Sequence, residues 1–265
     1  MSNIIILCIL YNKKCIDSNT FNTFKNSKFH DSENVELHIW DNSLNLDITE
    51  FNKCFIYDQN VYYHTSGKNE ALSIVYNKFI NKYADDFLLI LDDDSEINDK
   101  YISEAIKLTS NDLFYVGVPK IISQIGEMYS PAKFGLVKGK HFKNISCGFH
   151  YDITAISSGI IINCNKIISN KILFDEKLNL YGIDTDFFVS LNKKQIPIYV
   201  LDVDINHDLS IFNVESKKTK RYRFLNMMKA NLYISKKRGS FYYICFIIYM
   251  MLVYMKNVNL LIGRY

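Results

Sequence analysis

The chain of 265 residues is 48% hydrophobic and 22% charged, enough apolar material to bury a sizeable core and too much for a disordered chain. Six scattered cysteines with no Cys-x-x-Cys pair argue against a disulfide scaffold, a zinc site or a redox motif and suggest a reducing compartment. Net charge is only +3, but residues 213–240 hold nine Lys or Arg against the single Glu215, a local +8 that leaves about −5 for the remainder.

Asn3–Leu10 is an unbroken apolar run, as expected of a strand buried on both faces of a mainly parallel sheet, and Tyr11-Asn12 ends it. The start of the chain lacks the charge, apolar run and cleavage pattern of a secretory leader, so none is expected and the Asn144-Ile145-Ser146 sequon reads as accidental. Val35–Trp40 is a second strand, closed by Asp41-Asn42-Ser43, whose side chains bond nearby backbone and favour turns. From Ala71 to Tyr83, the apolar positions Leu72, Val75, Phe79 and Tyr83 recur at helical spacing. Phe87–Leu91 returns to strand and stops at Asp92-Asp93-Asp94-Ser95. Further strands are expected at Leu113–Val118, Ser158–Ile162 and Ile198–Val203, with helices near Lys100–Leu108 and Asp184–Asn192. This alternation predicts an α/β fold whose ligand sits beyond the carboxyl ends of its parallel strands. Asn12, Asp41 and the Asp92–Asp94 cluster each follow a strand directly, so three segments deliver polar groups to one rim.

Carboxylates at such a rim can hold a hard divalent cation, which neutralises the charge developing on a nucleotide diphosphate leaving group. In extended chain, residues two apart point the same way, so Asp92 and Asp94 are expected to converge while Asp93 points elsewhere; the alternative is an acidic triplet on a solvated loop. Asp184 and Asp186, in Gly182-Ile183-Asp184-Thr185-Asp186-Phe187, precede a run with helical spacing. One of them can act as the base that removes an acceptor hydroxyl's proton, or both can serve the start of the helix. His207, just past the last strand, is a further candidate metal ligand or an ordinary loop histidine.

The order of these segments resembles the family 2 glycosyltransferases of the GT-A fold, particularly the rhamnosyltransferase-like enzymes of bacterial polysaccharide synthesis. The resemblance spans roughly residues 3–210. It rests on Ile9-Leu10-Tyr11-Asn12, Asp41-Asn42-Ser43, Asn69 through Asn77, Leu89–Ser95, Thr154–Gly159, Gly182–Phe187 and His207. It implies a mixed, mostly parallel sheet flanked by helices, with a C-terminal helical appendage over 211–265. Tyr11, Asn12, Asp41, Asn69, Asn77, Asp92 and Asp93 would serve the donor, and Asp94 and His207 a Mg²⁺ or Mn²⁺ ion. Asp184 would be the catalytic carboxylate of an inverting hexosyl transfer, and Ser158, Gly159 and Asp186 would line the sugar and acceptor region. Ala71 stands where many relatives have Gly, which is expected to tighten the backbone near the nucleotide. Ile183 stands where many relatives have an acidic residue, so the family's usual acidic neighbour of Asp184 is missing.

The implied partners are a dTDP- or UDP-linked sugar and a lipid-linked or oligosaccharide acceptor; rhamnose, galactose and glucose donors all fit. Phe241–Tyr254 is apolar for 14 residues, short of the ~20 that span a bilayer. With Lys236-Lys237-Arg238 before it, the run suits either the headgroup boundary at the cytoplasmic face of the plasma membrane or docking on the catalytic domain or a second copy. The basic block matches no nucleic-acid module, so no nucleic acid is expected. A nucleotidyltransferase would carry a Gly-rich phosphate loop after the first strand, and Tyr11-Asn12-Lys13-Lys14-Cys15 has no glycine. A catalytically silent assembly subunit is the other alternative, and joint retention of Asp92, Asp94, Asp184 and His207 argues against it.

Overall fold

In the computed structural model, residues 2–56, 59–111, 113–123, 126–206 and 216–256 are described. The first half alternates strand and helix: β1 (Ile4–Leu10), α1 (Asn19–Lys25), β2 (Val35–Asp41), α2 (Leu46–Phe55), β3 (Val61–Thr65), α3 (Leu72–Lys82), β4 (Phe87–Asp92) and α4 (Asp99–Thr109). There follow β5 (Val116–Ile122), β6 (Met128–Ser130), β7 (Ala132–Lys133), β8 (Lys140–His141), β9 (Gly148–His150), β10 (Ile153–Thr154) and β11 (Ile160–Asn163). The chain continues through α5 (Cys164–Ser169), α6 (Ile183–Lys193), β12 (Ile198–Asn206), α7 (Lys217–Arg238) and α8 (Ser240–Lys256).

Among the described residues a nine-stranded sheet runs in the order β3-β2-β1-β4-β11-β5-β12-β9, with β6 paired to β5, and β10-β7-β8 form a separate small sheet. Strands β3, β2, β1 and β4 are mutually parallel, as are β5 and β12. Strand β11 runs antiparallel to both β4 and β5, so its start, at Ser158-Gly159, lies at the same rim as the end of β4. The mixed, mostly parallel sheet with a C-terminal helical part is the one anticipated above.

All seven residues of β1 are buried, and they divide by alternation. Ile5, Leu7 and Ile9 face a core shared with α3, α5, α6 and α7, whereas Ile4, Ile6, Cys8 and Leu10 face one shared with α1 and α4. Asparagine and serine caps set several helix starts: Ser18, Asn45, Asn98 and Asn163 each accept from a first-turn amide of α1, α2, α4 and α5. Helix α7 enters the main core through Ala230 and Ile234. These side chains press on Gly182, where a Cβ would meet Ile234 Cδ1 at 2.9 Å and Ala230 Cβ at 3.0 Å. Gly182 also has φ +78°, a left-handed conformation that favours glycine. Among the described residues no helix is long and apolar enough to cross a membrane.

Candidate active site

The loop after β1 and the loops after β2 and β4 are stitched into one unit at the rim. Asn12, with φ +50°, donates its amide to Ser43 Oγ at 2.7 Å, and the Asn42 amide donates to the Leu10 carbonyl at 2.9 Å. Ser18 Oγ donates to the Asp93 carbonyl at 2.9 Å, Thr20 Oγ1 donates to the Asp92 carbonyl, and Lys13 Nζ pairs with Asp93 Oδ1 at 3.0 Å. The chain turns at Asp93-Asp94, so the alternation argued from extended backbone ends at Asp92; Asp92, Asp93 and Asp94 are all half-buried. Tyr11, 52% exposed, stands beside this cradle with its ring accessible.

Several donor-side candidates are spent on the protein itself. Asp41 is fully buried: Oδ1 accepts from the Ser43 amide at 3.0 Å, and Oδ2 accepts from Asn52 Nδ2 at 2.7 Å and Tyr63 Oη at 3.1 Å. Asn69 Oδ1 accepts from Asn42 Nδ2 at 2.9 Å. Asn77 donates to the Phe174 carbonyl at 2.9 Å and to Glu176 Oε1 at 3.2 Å, and accepts from the Phe174 amide at 3.0 Å. With Ser73 Oγ on the Leu178 carbonyl and the Leu72 amide on the Asn179 carbonyl, α3 thereby fixes the segment that leads into Gly182. Ala71 caps α3 at φ −61°, ψ 134°, ordinary extended backbone, so alanine there carries none of the tightening anticipated from the missing glycine.

Ser158 is 3% exposed and accepts the Asp92 amide at 3.2 Å, with its Oγ 2.9 Å from Ser95 Oγ. Gly159, at φ +89°, donates to the Ile90 carbonyl at 2.7 Å, and its carbonyl accepts from Tyr101 Oη at 2.6 Å. Both residues brace the acidic turn from beneath the rim. Upstream, Thr154, Ala155 and Ile156 line a cavity of about 450 Å³ that also includes Asp184 and Thr185.

Asp184 sits in the first turn of α6, whose cap position is taken by Gly182. Its Oδ1 accepts from the Thr185 amide at 2.7 Å. Burial pushes the carboxyl above the ordinary aspartate range, outweighing that bond and the Thr185 hydroxyl. Ile183, 3% exposed, is a core residue; enclosure, not an acidic neighbour, is what makes Asp184 more basic. The buried Tyr76 hydroxyl is raised first by burial, then by the charges of Asp92 and Asp184. The two carboxylates are linked by a short stretch of chain: Ile156 lines the Asp184 cavity, and Ser158, two residues on, accepts the Asp92 amide.

Asp186 has a different environment. It is 1% exposed and its Oδ2 accepts from Lys237 Nζ at 2.7 Å, while the same ammonium reaches Asp175 Oδ2 at 2.9 Å. Tyr233 Oη donates to Asp175 Oδ2 at 2.7 Å. Asp186 therefore anchors α7 on α6. Of the two settings anticipated for Lys236-Lys237-Arg238, docking on the catalytic domain accounts for Lys237 and for Arg238, which donates to the Gly135 carbonyl at 3.1 Å. His207 lies outside the described residues, and among those described no group of three His, Cys, Asp or Glu side chains is arranged to hold a metal. The chemistry of the acidic turn nonetheless suits a hard cation: the half-buried carboxylates of Asp92 and Asp94 are the oxygen donors that Mg²⁺ and Mn²⁺ take, with water and phosphate oxygens completing the shell.

Sequence reasoning missed Lys13, Asn42, Tyr76, Lys237 and Arg238. Lys13 was within the inspected loop, and its position beside an acidic triplet was the available signal; the other roles are set by long-range packing.

Parallel strands feeding an acidic turn and an antiparallel strand returning beside it define a GT-A fold, the architecture of nucleotide-sugar transferases. The family model described as Glycosyl transferase family 2 matches residues 5–174, and the chain belongs to that family. No curated protein sequence matches it. Among solved structures, S. aureus TarS 1-349 is similar at 17% identity and TM-score 0.55, covering 88% of this chain and 65% of its own, and has also been solved with UDP. GalNAc-T7, solved with UDP, GalNAc and Mn²⁺, is similar at 12% identity and TM-score 0.60, covering 89% of this chain and 48% of its own. The chain thus spans less than two thirds of the length of either neighbour.

Proposed function

We propose that the protein is an active, inverting glycosyltransferase that moves a hexose such as rhamnose from a UDP- or dTDP-linked donor to a glycan acceptor in bacterial surface polysaccharide synthesis. One observation carries the reading: Asp184, made more basic by burial, lines a cavity whose wall at Thr154–Ile156 leads within two residues to Ser158, which accepts the Asp92 amide at the acidic turn. The acceptor oxygen attacks the anomeric carbon, the bond from that carbon to the diphosphate oxygen breaks with its electron pair, and Asp184 takes the hydroxyl proton. Attack from the face opposite the leaving group inverts the anomeric configuration.

The exposure of Tyr11 supports its stacking on the donor's base, and Asn12 with the Lys13–Asp93 pair would shape the floor beneath the phosphates. Asp92 and Asp94 would hold Mg²⁺ or Mn²⁺, whose charge supports departure of the nucleoside diphosphate. Asp41, Asn69, Asn77, Ser158 and Gly159 act one layer back by fixing these loops. GalNAc-T7 with its bound UDP and Mn²⁺, and TarS with UDP, support the cofactor and donor classes assigned here.

Hydrolysis of a panel of nucleotide sugars, with and without Mg²⁺ or Mn²⁺, tests the proposal. Turnover is expected with one donor class, dependent on metal and lost in Asp94→Ala; undiminished turnover in chelator would sink the mechanism. A silent assembly subunit would instead hydrolyse none of the panel.

A further inference from the structure

Helix α8 is apolar on every side: from Phe241 to Met255 it carries no charged residue. A helix of that composition has to be covered, by protein or by a bilayer. Its 17 residues are fewer than the ~20 that span a membrane. A helix lying in the headgroup boundary turns a strongly charged or polar face to water, and α8 has no charged side chain to offer there. Protein is therefore the cover that fits.

The body of the molecule covers one side. Phe246 is 3% exposed, and with Tyr249 it lines the Asp184 cavity. The outer side is bare and strictly ordered: Phe241, Ile244, Ile248, Met251 and Met255 recur at spacings of three, four, three and four, each more than half exposed. That is the a and d seam of a coiled coil, and exposed Leu252 and Tyr254 occupy its flanking e and g positions. Every large apolar side chain that α8 exposes thus falls on this one face, whereas buried Phe246 stands at f, on the far side. Among the described residues nothing covers the seam.

At the ~150–250 Å² that a large side chain can bury, seven of them exposed by half or more present about 700 Å². Each partner in a standard stable interface contributes ~800 Å². The face is uncharged along its length, so the same face on a second copy meets it without opposing like charges, which is the self-complementarity a two-fold interface requires. The root of α8 is also fixed. Arg238 donates to the Gly135 and Leu136 carbonyls at 3.1 and 3.4 Å, and Lys237 is held by Asp175 and Asp186, so the seam is presented at little ordering cost.

We infer that two copies of this chain pair through the a and d seam of α8, and that the pairing holds the α8 wall of the Asp184 cavity in place. A partner behind α8 restrains Phe246 and Tyr249, which otherwise ride on a helix covered on one side only. The cavity wall is firmer in the dimer than in the single chain. Pairing is independent of the transferase reading.

Light scattering and sedimentation equilibrium on the full chain are the test, and a concentration-dependent species of twice the chain mass is expected. Ile248→Asp places a carboxylate from each copy in the seam and should weaken association about a hundredfold or more, whereas Ile248→Leu should keep it. Ile248 is 54% exposed in the single chain, so the Asp variant should fold with an unchanged circular dichroism spectrum. Hydrogen exchange on the wild-type chain supplies a second reading that needs no variant: α8 amides should be protected in concentrated solution and lose that protection on dilution, Phe246–Tyr249 included. A chain that stays monomeric at every concentration overturns the inference, and one that is monomeric but floats with phosphatidylcholine and phosphatidylglycerol vesicles does so by making a bilayer the cover. A dimer that Ile248→Asp leaves intact, or whose α8 amides exchange alike at both concentrations, pairs through another face and overturns it as well.

Discussion

Replacing Lys237 with methionine isolates the clamp between α7 and α6. The ammonium lies 2.7 Å from Asp186 Oδ2 and 2.9 Å from Asp175 Oδ2. Asp186 is 1% exposed, so water cannot take over when the ammonium is gone. Stripping one partner from a buried pair costs ~3–5 kcal/mol. The Lys237 side chain is 32% exposed, however, which screens the pairing, and a fully solvated pair is worth only ~0–1 kcal/mol. An intermediate loss of about 2 kcal/mol at neutral pH is therefore expected for Lys237→Met, whose stem preserves most of the packing.

The penalty should shrink in acid. Burial already pushes the Asp186 carboxyl upward, against the pull of Lys237, and without the cation it rises further. A carboxyl whose folded value lies above its unfolded one favours folding only when protonated, so the cost applies above the folded value and fades below it. In the wild-type protein Asp175 moves the other way: burial raises it, but Lys237 and Tyr233 prevail and bring it to about 2. Its contribution is present above the ordinary aspartate value and lost as pH falls from about 4 toward 2, and the variant lacks that loss. Urea unfolding followed by circular dichroism at pH 7 and pH 5 measures the effect at Asp186, and Asp186→Asn in the same chain should recover part of the neutral-pH deficit. A variant with the wild-type midpoint, or a deficit identical at the two pH values, would refute the reasoning.

Asp184→Asn should lower kcat by ~10²–10⁴ while leaving donor KM near the wild-type value, as steady-state kinetics would show. Because burial raises Asp184, wild-type transfer should fall off as pH drops through a value above the ordinary aspartate range, and that acid limb should be absent from the residual activity of the variant. Asn77→Ala removes three hydrogen bonds at a 5%-exposed site and should cost ~2–3 kcal/mol in urea unfolding, with donor affinity by calorimetry little changed. Gly159→Ala forces a Cβ to 2.8 Å from Pro119 Cγ at φ +89°, and a melting-temperature loss equivalent to ~1–3 kcal/mol is expected.

The parallel half of the sheet could be read directly from residues because its strands are buried on both faces, so Ile4–Leu10 and Phe87–Leu91 have no polar interruptions. Helix α3 was equally visible from its apolar spacing. Helices α1 and α2 went unread although Ser18 and Asn45 are good caps, since caps without a long periodic run are common in loops. Strand β3, Val-Tyr-Tyr-His-Thr, is an edge with mixed burial and so lacks the continuous apolar signal. The acidic turn and the Asp184 turn were found by position, each directly beside an apolar element. What local sequence could not reveal is which carboxylate a distant lysine would claim. Asp184 and Asp186 are two residues apart, yet Lys237, some fifty positions downstream, takes one of them, and only tertiary packing decides which.

Gly182 turns the C-terminal helices into part of the tooling. With no side chain at that point, α7 rests directly on the backbone that begins the Asp184 turn, so any shift of the hairpin transmits to the carboxylate instead of being absorbed by compliant atoms. A force applied to α8 from outside would accordingly move the turn that carries Asp184. The hairpin is a lever seated on its fulcrum, not a tether trailing from the sheet.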